Sequence, residues 1–204
     1  MPKMTCWTRN MMPASPELTS ARNLAYQGVG RNLLQFQRLE LLLKYLLGRH
    51  QGSYTIETMV DEMKRCEKAQ ERKTLGLLAG DLFEKVILRQ TSGDVVPAEG
   101  ADPGKFSHRF GITITEGLHQ EWQSRLKDLV DERNQLVHLS LMSWDLDTIE
   151  GCQAVVVVLD EQRGRIAAEL EQVKRFHEFF TQCMMQLHEE LMVADVLKEQ
   201  GASP

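Results

Sequence analysis

Residues 131–138 (DERNQLVH) place Arg133, Asn134 and His138 within six positions of one another. A guanidinium is a permanent forked cation suited to phosphate oxygens, and an imidazole can both take and give a proton near neutral pH. Together they supply what metal-free phosphodiester cleavage needs: charge neutralisation at phosphorus and general acid/base catalysis at the attacking or leaving oxygen. On an ideal helix, five residues at about 100° each set Arg133 and His138 roughly 140° apart, too far to converge unaided on one phosphorus. Either the helix ends between them or two chains pool their copies.

The spacing alone carries little weight. With 14 arginines and 6 histidines in 204 residues, an Arg followed five places later by His is expected roughly 0.4 times by chance. All four asparagines directly follow an arginine (positions 10, 23, 32 and 134), so Asn134 lowers that figure only to roughly 0.1. A plain reading also exists, in which Arg133 pairs with Asp131 or Glu132 on the surface and His138 occupies a helix C-terminus, where a cation is favoured. The elements around the segment therefore have to decide.

Those elements read as helices. No proline falls between Pro16 and Pro97, leaving room for long uninterrupted runs. Residues 1–17 show no sustained period and read as a loose leader, followed by a helical domain over 18–198 and a tail at 199–204. The first helix spans about 18–47, with Val29, Leu33, Phe36, Leu43 and Leu47 in an apolar stripe, and Gly48 stops it. A second, about 56–69, carries Met59, Val60, Met63 and Cys66 on one side and an Asp61/Arg65 pair at helical spacing. Thr74 caps a third through Leu75, Leu78, Leu82, Val86 and Ile87.

Residues 91–107 concentrate Gly and Pro and read as a long exposed loop. Residues 110–115 alternate enough for a short strand or an extended lead-in, and the lead-in is preferred. Thr113 with Glu116 resembles a capping box that opens a helix through Leu118, Trp122, Leu126, Leu129 and Val130 towards His138. After a break at 140–147, Asp147 with Glu150 opens a last helix reaching Leu191, in which the β-branched run at 154–159 (AVVVVL) reads as helix. The sum is an all-α, antiparallel bundle of four to five long helices.

An Arg-Asn-x-x-x-His signature in the C-terminal half of a helix, followed by a turn and another long helix, resembles the HEPN superfamily of ribonucleases. Arg133, Asn134 and His138 carry the resemblance, and the amphipathic helix at 31–47 suits that family's N-terminal helix. The resemblance implies a HEPN-like fold and a metal-independent endoribonuclease without cofactor, in which the RNA's 2'-hydroxyl is the nucleophile. It further implies products with 2',3'-cyclic phosphate and 5'-hydroxyl ends, and an active site formed at a homodimer interface. On that pattern His138 is the general base or acid, Arg133 stabilises the phosphorane, and Asn134 positions the phosphate or the motif. A toxin or phage-defence role, restrained by a cognate inhibitor or antitoxin, belongs to the same implication. In many toxin members a tyrosine two residues after the histidine is the target of a nucleotidyltransferase antitoxin; here that position is Ser140. The alternatives are a non-catalytic helical dimerisation or adaptor module and a nucleotide-binding regulator.

Other constellations are weaker. Glu116 and His119 form one ExxH, and a di-metal bundle needs two. His177 and His188 stand roughly 16 Å apart along a helix, too far to share a metal. Gly28-Val29-Gly30 lacks the third glycine and preceding strand of a dinucleotide loop, and it reads as loosening the start of the first helix. Met184, Met185 and Met192 suit a core or a dimer seam. Lys64, Arg65, Lys68, Arg72 and Lys73, with Lys85 and Arg89, read as a solvated face.

Composition agrees. Apolar residues are 42% and charged residues 26%, ordinary values for a folded domain rather than a disordered or low-complexity chain. The net charge of -5 argues against indiscriminate coating of nucleic acid and leaves room for a local basic site. No apolar run is long enough for a membrane span. The four cysteines form no CxxC pair and point to a reducing cytoplasm.

Overall fold

The computed structural model describes residues 15–55, 57–90, 105–138 and 143–199, with backbone alone at 187, 188 and 190–199. Among these are five helices: α1 (Pro16–Arg49), α2 (Met59–Gln70), α3 (Leu75–Lys85), α4 (Glu116–His138) and α5 (Ile149–Glu199). Four short strands join them: β1 (Gln51–Tyr54), β2 (Ile87–Arg89), β3 (Phe106–Arg109) and β4 (Ile112–Ile114). The chain is mostly helical, and the expected all-α bundle needs three corrections.

First, the strands form two small sheets. β1 pairs antiparallel with β3, Tyr54 opposite Phe106, and β2 pairs parallel with β4, Ile87 opposite Ile112. Ile87 therefore belongs to a strand rather than to the end of α3, and Ile112 N–H donates to the Val86 carbonyl at 2.8 Å where the ladder begins. Thr113 lies inside β4, so the capping box with Glu116 does not form, and α4 starts from Thr115, whose carbonyl accepts from His119 N–H at 2.9 Å.

Second, the helices are unequal. α2 and α3 have 12 and 11 residues, whereas α1, α4 and α5 have 34, 23 and 51. α1 begins two residues before the expected boundary. Ser15 Oγ accepts from Leu18 N–H at 3.1 Å, and Pro16, which has no N–H to satisfy, takes the first helical position. α5 opens at Thr148 rather than at Asp147. The Thr148 hydroxyl accepts from Gly151 N–H at 3.0 Å, while the Asp147 carboxylate instead pairs with Arg22 on α1 at 2.7 Å.

Third, the bundle is not wholly antiparallel. Arg22 meets Asp147, Arg31 meets Asp160, Asn32 meets Gln162 and Tyr45 packs on His177. Both numbers rise together, so α1 and α5 run parallel. α4 runs against α5, since Trp122 reaches Glu169 and Glu132 reaches Arg165. α2 likewise runs against α1, with Lys44 bonded to the Glu71 carbonyl and Arg49 to Glu67.

The core lies along the α1–α5 seam. Phe36, Leu39, Leu43 and Leu46 of α1 recur at three- and four-residue spacing, Leu159, Ile166, Val173 and Phe180 of α5 recur every seven residues, and all are buried. Burying side chains of this size is worth about 1.5–3 kcal/mol each. Gly28 sits mid-helix in α1 and does not loosen it: a Cβ there would stand 3.0 Å from Leu159 Cδ1, so the missing side chain sets how closely the helices approach. Leu75, Leu78 and Leu82 of α3 and Trp122, Leu126, Leu129 and Leu136 of α4 extend the same core.

Candidate active site at the C-terminal end of α4

α4 is held to α5 by polar contacts as well as by its apolar face. Glu169, 4% exposed, accepts from the Trp122 indole at 2.8 Å and from Arg125 Nε at 2.7 Å. The bonded Glu169 carboxylate pushes the Arg125 pKa further up, fixing the guanidinium as a cation. Seven residues on, Glu132 accepts from Arg165 Nε at 2.9 Å. The last two turns of α4 are thus pinned in place on the side that faces α5.

Arg133, Asn134 and His138 project from these turns. Leu136 is buried, Arg133 is half-buried, and Asn134 and His138 are exposed. The Arg133 Nη1 donates to Asn134 Oδ1 at 3.1 Å, so the amide orients the fork of the guanidinium while other N–H groups of that fork remain for a ligand. Among the described residues Arg133 forms no ion pair with Asp131 or Glu132, and Glu132 Oε1 instead accepts from Arg165 Nε. α4 stays helical through His138, which removes one of the two ways in which Arg133 and His138 were expected to converge. Within one chain they point about 140° apart. Ser140 lies outside the described residues.

The demoted constellations separate cleanly. His119 is buried edge-on against Phe83, with ring centroids 5.2 Å apart, while Glu116 pairs with Arg89 at 3.4 Å. Among the described residues no group of three or more His, Cys, Asp or Glu side chains is placed to hold a metal. His177 packs on Tyr45 at 4.6 Å, and the side chain of His188 lies outside the described residues. Four members of the basic cluster are ion-paired: Lys73 and Lys85 share Asp81, Arg65 pairs with Glu62 rather than with Asp61, and Arg89 pairs with Glu116. Burial pushes the Asp81 carboxyl up, but the two lysines outweigh it and hold the pKa below the ordinary value.

One feature escaped the sequence. Met184 and Met185 line a cavity of about 860 Å³ together with Tyr45, Tyr54, Met63 and Phe106. Its walls come from segments more than a hundred residues apart, and no local period announces it. Arg133, Asn134 and His138 are not among its lining residues.

No family model, curated protein or solved structure matches the chain. Among the described residues, no helix is long and apolar enough to cross a membrane, and Cys66, Cys152 and Cys183 are free thiols.

Proposed function

We propose that the chain is a metal-independent endoribonuclease of the HEPN type that works as a homodimer, with a role in RNA degradation as a toxin or phage-defence effector. What supports this reading is one observation: an accessible imidazole, and a guanidinium oriented by a neighbouring amide, on the last two turns of a helix pinned to the bundle by Glu132–Arg165. Because the two groups diverge on one helix, the working site takes them from two chains.

In the proposed step the RNA 2'-oxygen attacks the adjacent phosphorus, and the bond from phosphorus to the 5'-oxygen breaks. In each composite site the His138 of one chain takes the 2'-hydroxyl proton and then returns a proton to the leaving 5'-oxygen. Arg133 stabilises the extra negative charge on the phosphorane, and Asn134 holds the arginine fork in position.

The test is a labelled single-stranded RNA incubated with protein in EDTA. Cleavage to 2',3'-cyclic phosphate and 5'-hydroxyl ends, falling about 100-fold or more in Arg133→Ala and His138→Ala, is expected. Intact RNA with the wild type, or equal cleavage by both variants, overturns the reading and favours a non-catalytic helical adaptor.

A further inference from the structure

α2 packs against the end of α1 without burying any of its residues, although Met59, Met63 and Cys66 share one side of it at helical spacing. Those three side chains stay half-buried because the cavity of about 860 Å³, rather than packed atoms, lies against them. We propose that this cavity binds an uncharged, largely apolar small molecule, which completes the core beside α2.

Shape is the first argument. The last turn of α1, the β1–β3 ladder and the second half of α5 form the other walls. One end is shut, where Tyr45 packs on His177 and Phe110 packs on Phe180, with ring centroids 4.6 and 4.7 Å apart. A Cβ at Gly52 would stand 2.8 Å from Tyr54 Cε1 and 2.9 Å from His108 Cε1, so its absence lets both rings lie over β1 and line the space. Packed interiors leave few voids larger than a water molecule, whereas small-molecule sites run to about 300–1,000 Å³. A pocket closed at one end suits a small molecule, while a partner helix needs a groove to lie along.

The polar groups of the lining are turned on one another. Arg49 pairs with Glu67, and Arg65 pairs with Glu62. His108 Nε2 donates to the Arg49 carbonyl at 3.1 Å, which leaves its Nδ1 to accept from the Tyr54 hydroxyl at 3.4 Å. Ser53 bonds Ser107 at 2.7 Å, and the Thr181 hydroxyl donates to the His177 carbonyl at 2.9 Å. Arg109 and Glu189 also touch the cavity, but both are exposed and opposite in sign, so their charges stay in water and cancel. Burying an ionised group against such a lining is costly, and burying an apolar one is favourable. The thioethers of Met59, Met63, Met184 and Met185 adapt to the outline of whatever apolar body enters.

Fluorescence titration of the full chain with N-phenylnaphthylamine, a neutral probe that brightens in apolar surroundings, tests this. Saturable binding at one site per chain is expected, with a raised thermal midpoint. The matching sulfonate, anilinonaphthalene sulfonate, should bind at least about 10-fold more weakly, as should the neutral probe to Met63→Arg, which puts a charge in the cavity. Met63→Leu should bind the neutral probe as wild type does. Because α2 buries no residue, both variants should keep wild-type helical content by circular dichroism. Should Met63→Arg lose it, Cys66→Trp, which fills the same space, carries the same expectation. Amide exchange over residues 59–70 should slow when the neutral probe is bound. Absence of saturable binding, equal affinity for the two probes, undiminished binding to the charged or filled variant, or slowing of exchange only outside α2 and the cavity walls overturns the proposal. RNA cleavage is no part of the readout, so the ribonuclease reading stands or falls separately.

Discussion

Arg133 and His138 sit five residues apart on one unbroken helix, α4, diverging by about 140° around its axis and standing about 7.5 Å apart along it. No side-chain rotation within a regular helix closes that angle onto one phosphorus. In the proposed function this arrangement is half of a site that a second chain completes.

The seating of the first half of α4 on α5 depends on Glu169. Removing its carboxylate leaves the buried Trp122 indole without its acceptor, while Arg125, 42% exposed, keeps Glu121. Glu169→Ala is expected to cost about 1–3 kcal/mol, read as a lowered midpoint in urea denaturation, and to reduce RNA cleavage through loss of folded protein. A midpoint within experimental error of wild type would contradict the tether.

The α1–α5 seam carries a second buried polar contact. Asn32 is 0% exposed, and its Nδ2 donates to the Leu159 carbonyl at 2.8 Å and to Gln162 Oε1 at 2.9 Å. Asn32→Leu strands Gln162 and is expected to cost about 1–3 kcal/mol. The double variant Asn32→Leu with Gln162→Leu should recover most of that loss, because an apolar pair leaves no unpaired group. Additive losses in a urea double-mutant cycle would contradict the coupling.

His50 predicts a pH dependence. Burial pushes its pKa below the ordinary 6.5, and Lys85 and Arg109 push the same way against the Leu47 carbonyl and Asp81. A lowered histidine pKa means that the unfolded chain binds more protons between the folded and the ordinary values. Its contribution is therefore complete above about pH 6.5 and is lost as pH falls from there towards the folded value. Thermal unfolding from pH 8 to pH 5 should show the midpoint falling in wild type and falling less in His50→Gln. Equal slopes would show that another group sets the dependence.

The sequence revealed the helices but not their directions. Leu39, Leu43 and Leu46, or Trp122, Leu126 and Leu129, repeat at helical spacing, and burial of one face produces that pattern wherever the helix points. The parallel course of α1 and α5 is carried instead by pairs such as Arg31–Asp160, 129 residues apart. The sheets were hidden for a similar reason: Gln51–Tyr54 and Phe106–Arg109 are too short to show a period, and each is completed by a strand about fifty residues away. Thr113 and Glu116 had capping spacing, but the ladder with Leu88 claimed Thr113. At the candidate site the residue types and their helix were legible. The bond from Arg133 to Asn134 and the capture of Glu132 by Arg165 were not, because they depend on side-chain geometry and on a neighbouring helix.

The most direct measurement mixes two dead proteins. Arg133→Ala supplies a histidine without its arginine, and His138→Ala supplies the reverse; a mixed dimer of the two holds one complete composite site and one empty one. RNA cleavage by the mixture is predicted to reach about a quarter of the wild-type rate, from half the dimers carrying one of two sites, while each variant alone stays inactive. A mixture as inert as its components, under conditions in which the mixed dimer is shown to form, would contradict a site shared between two chains.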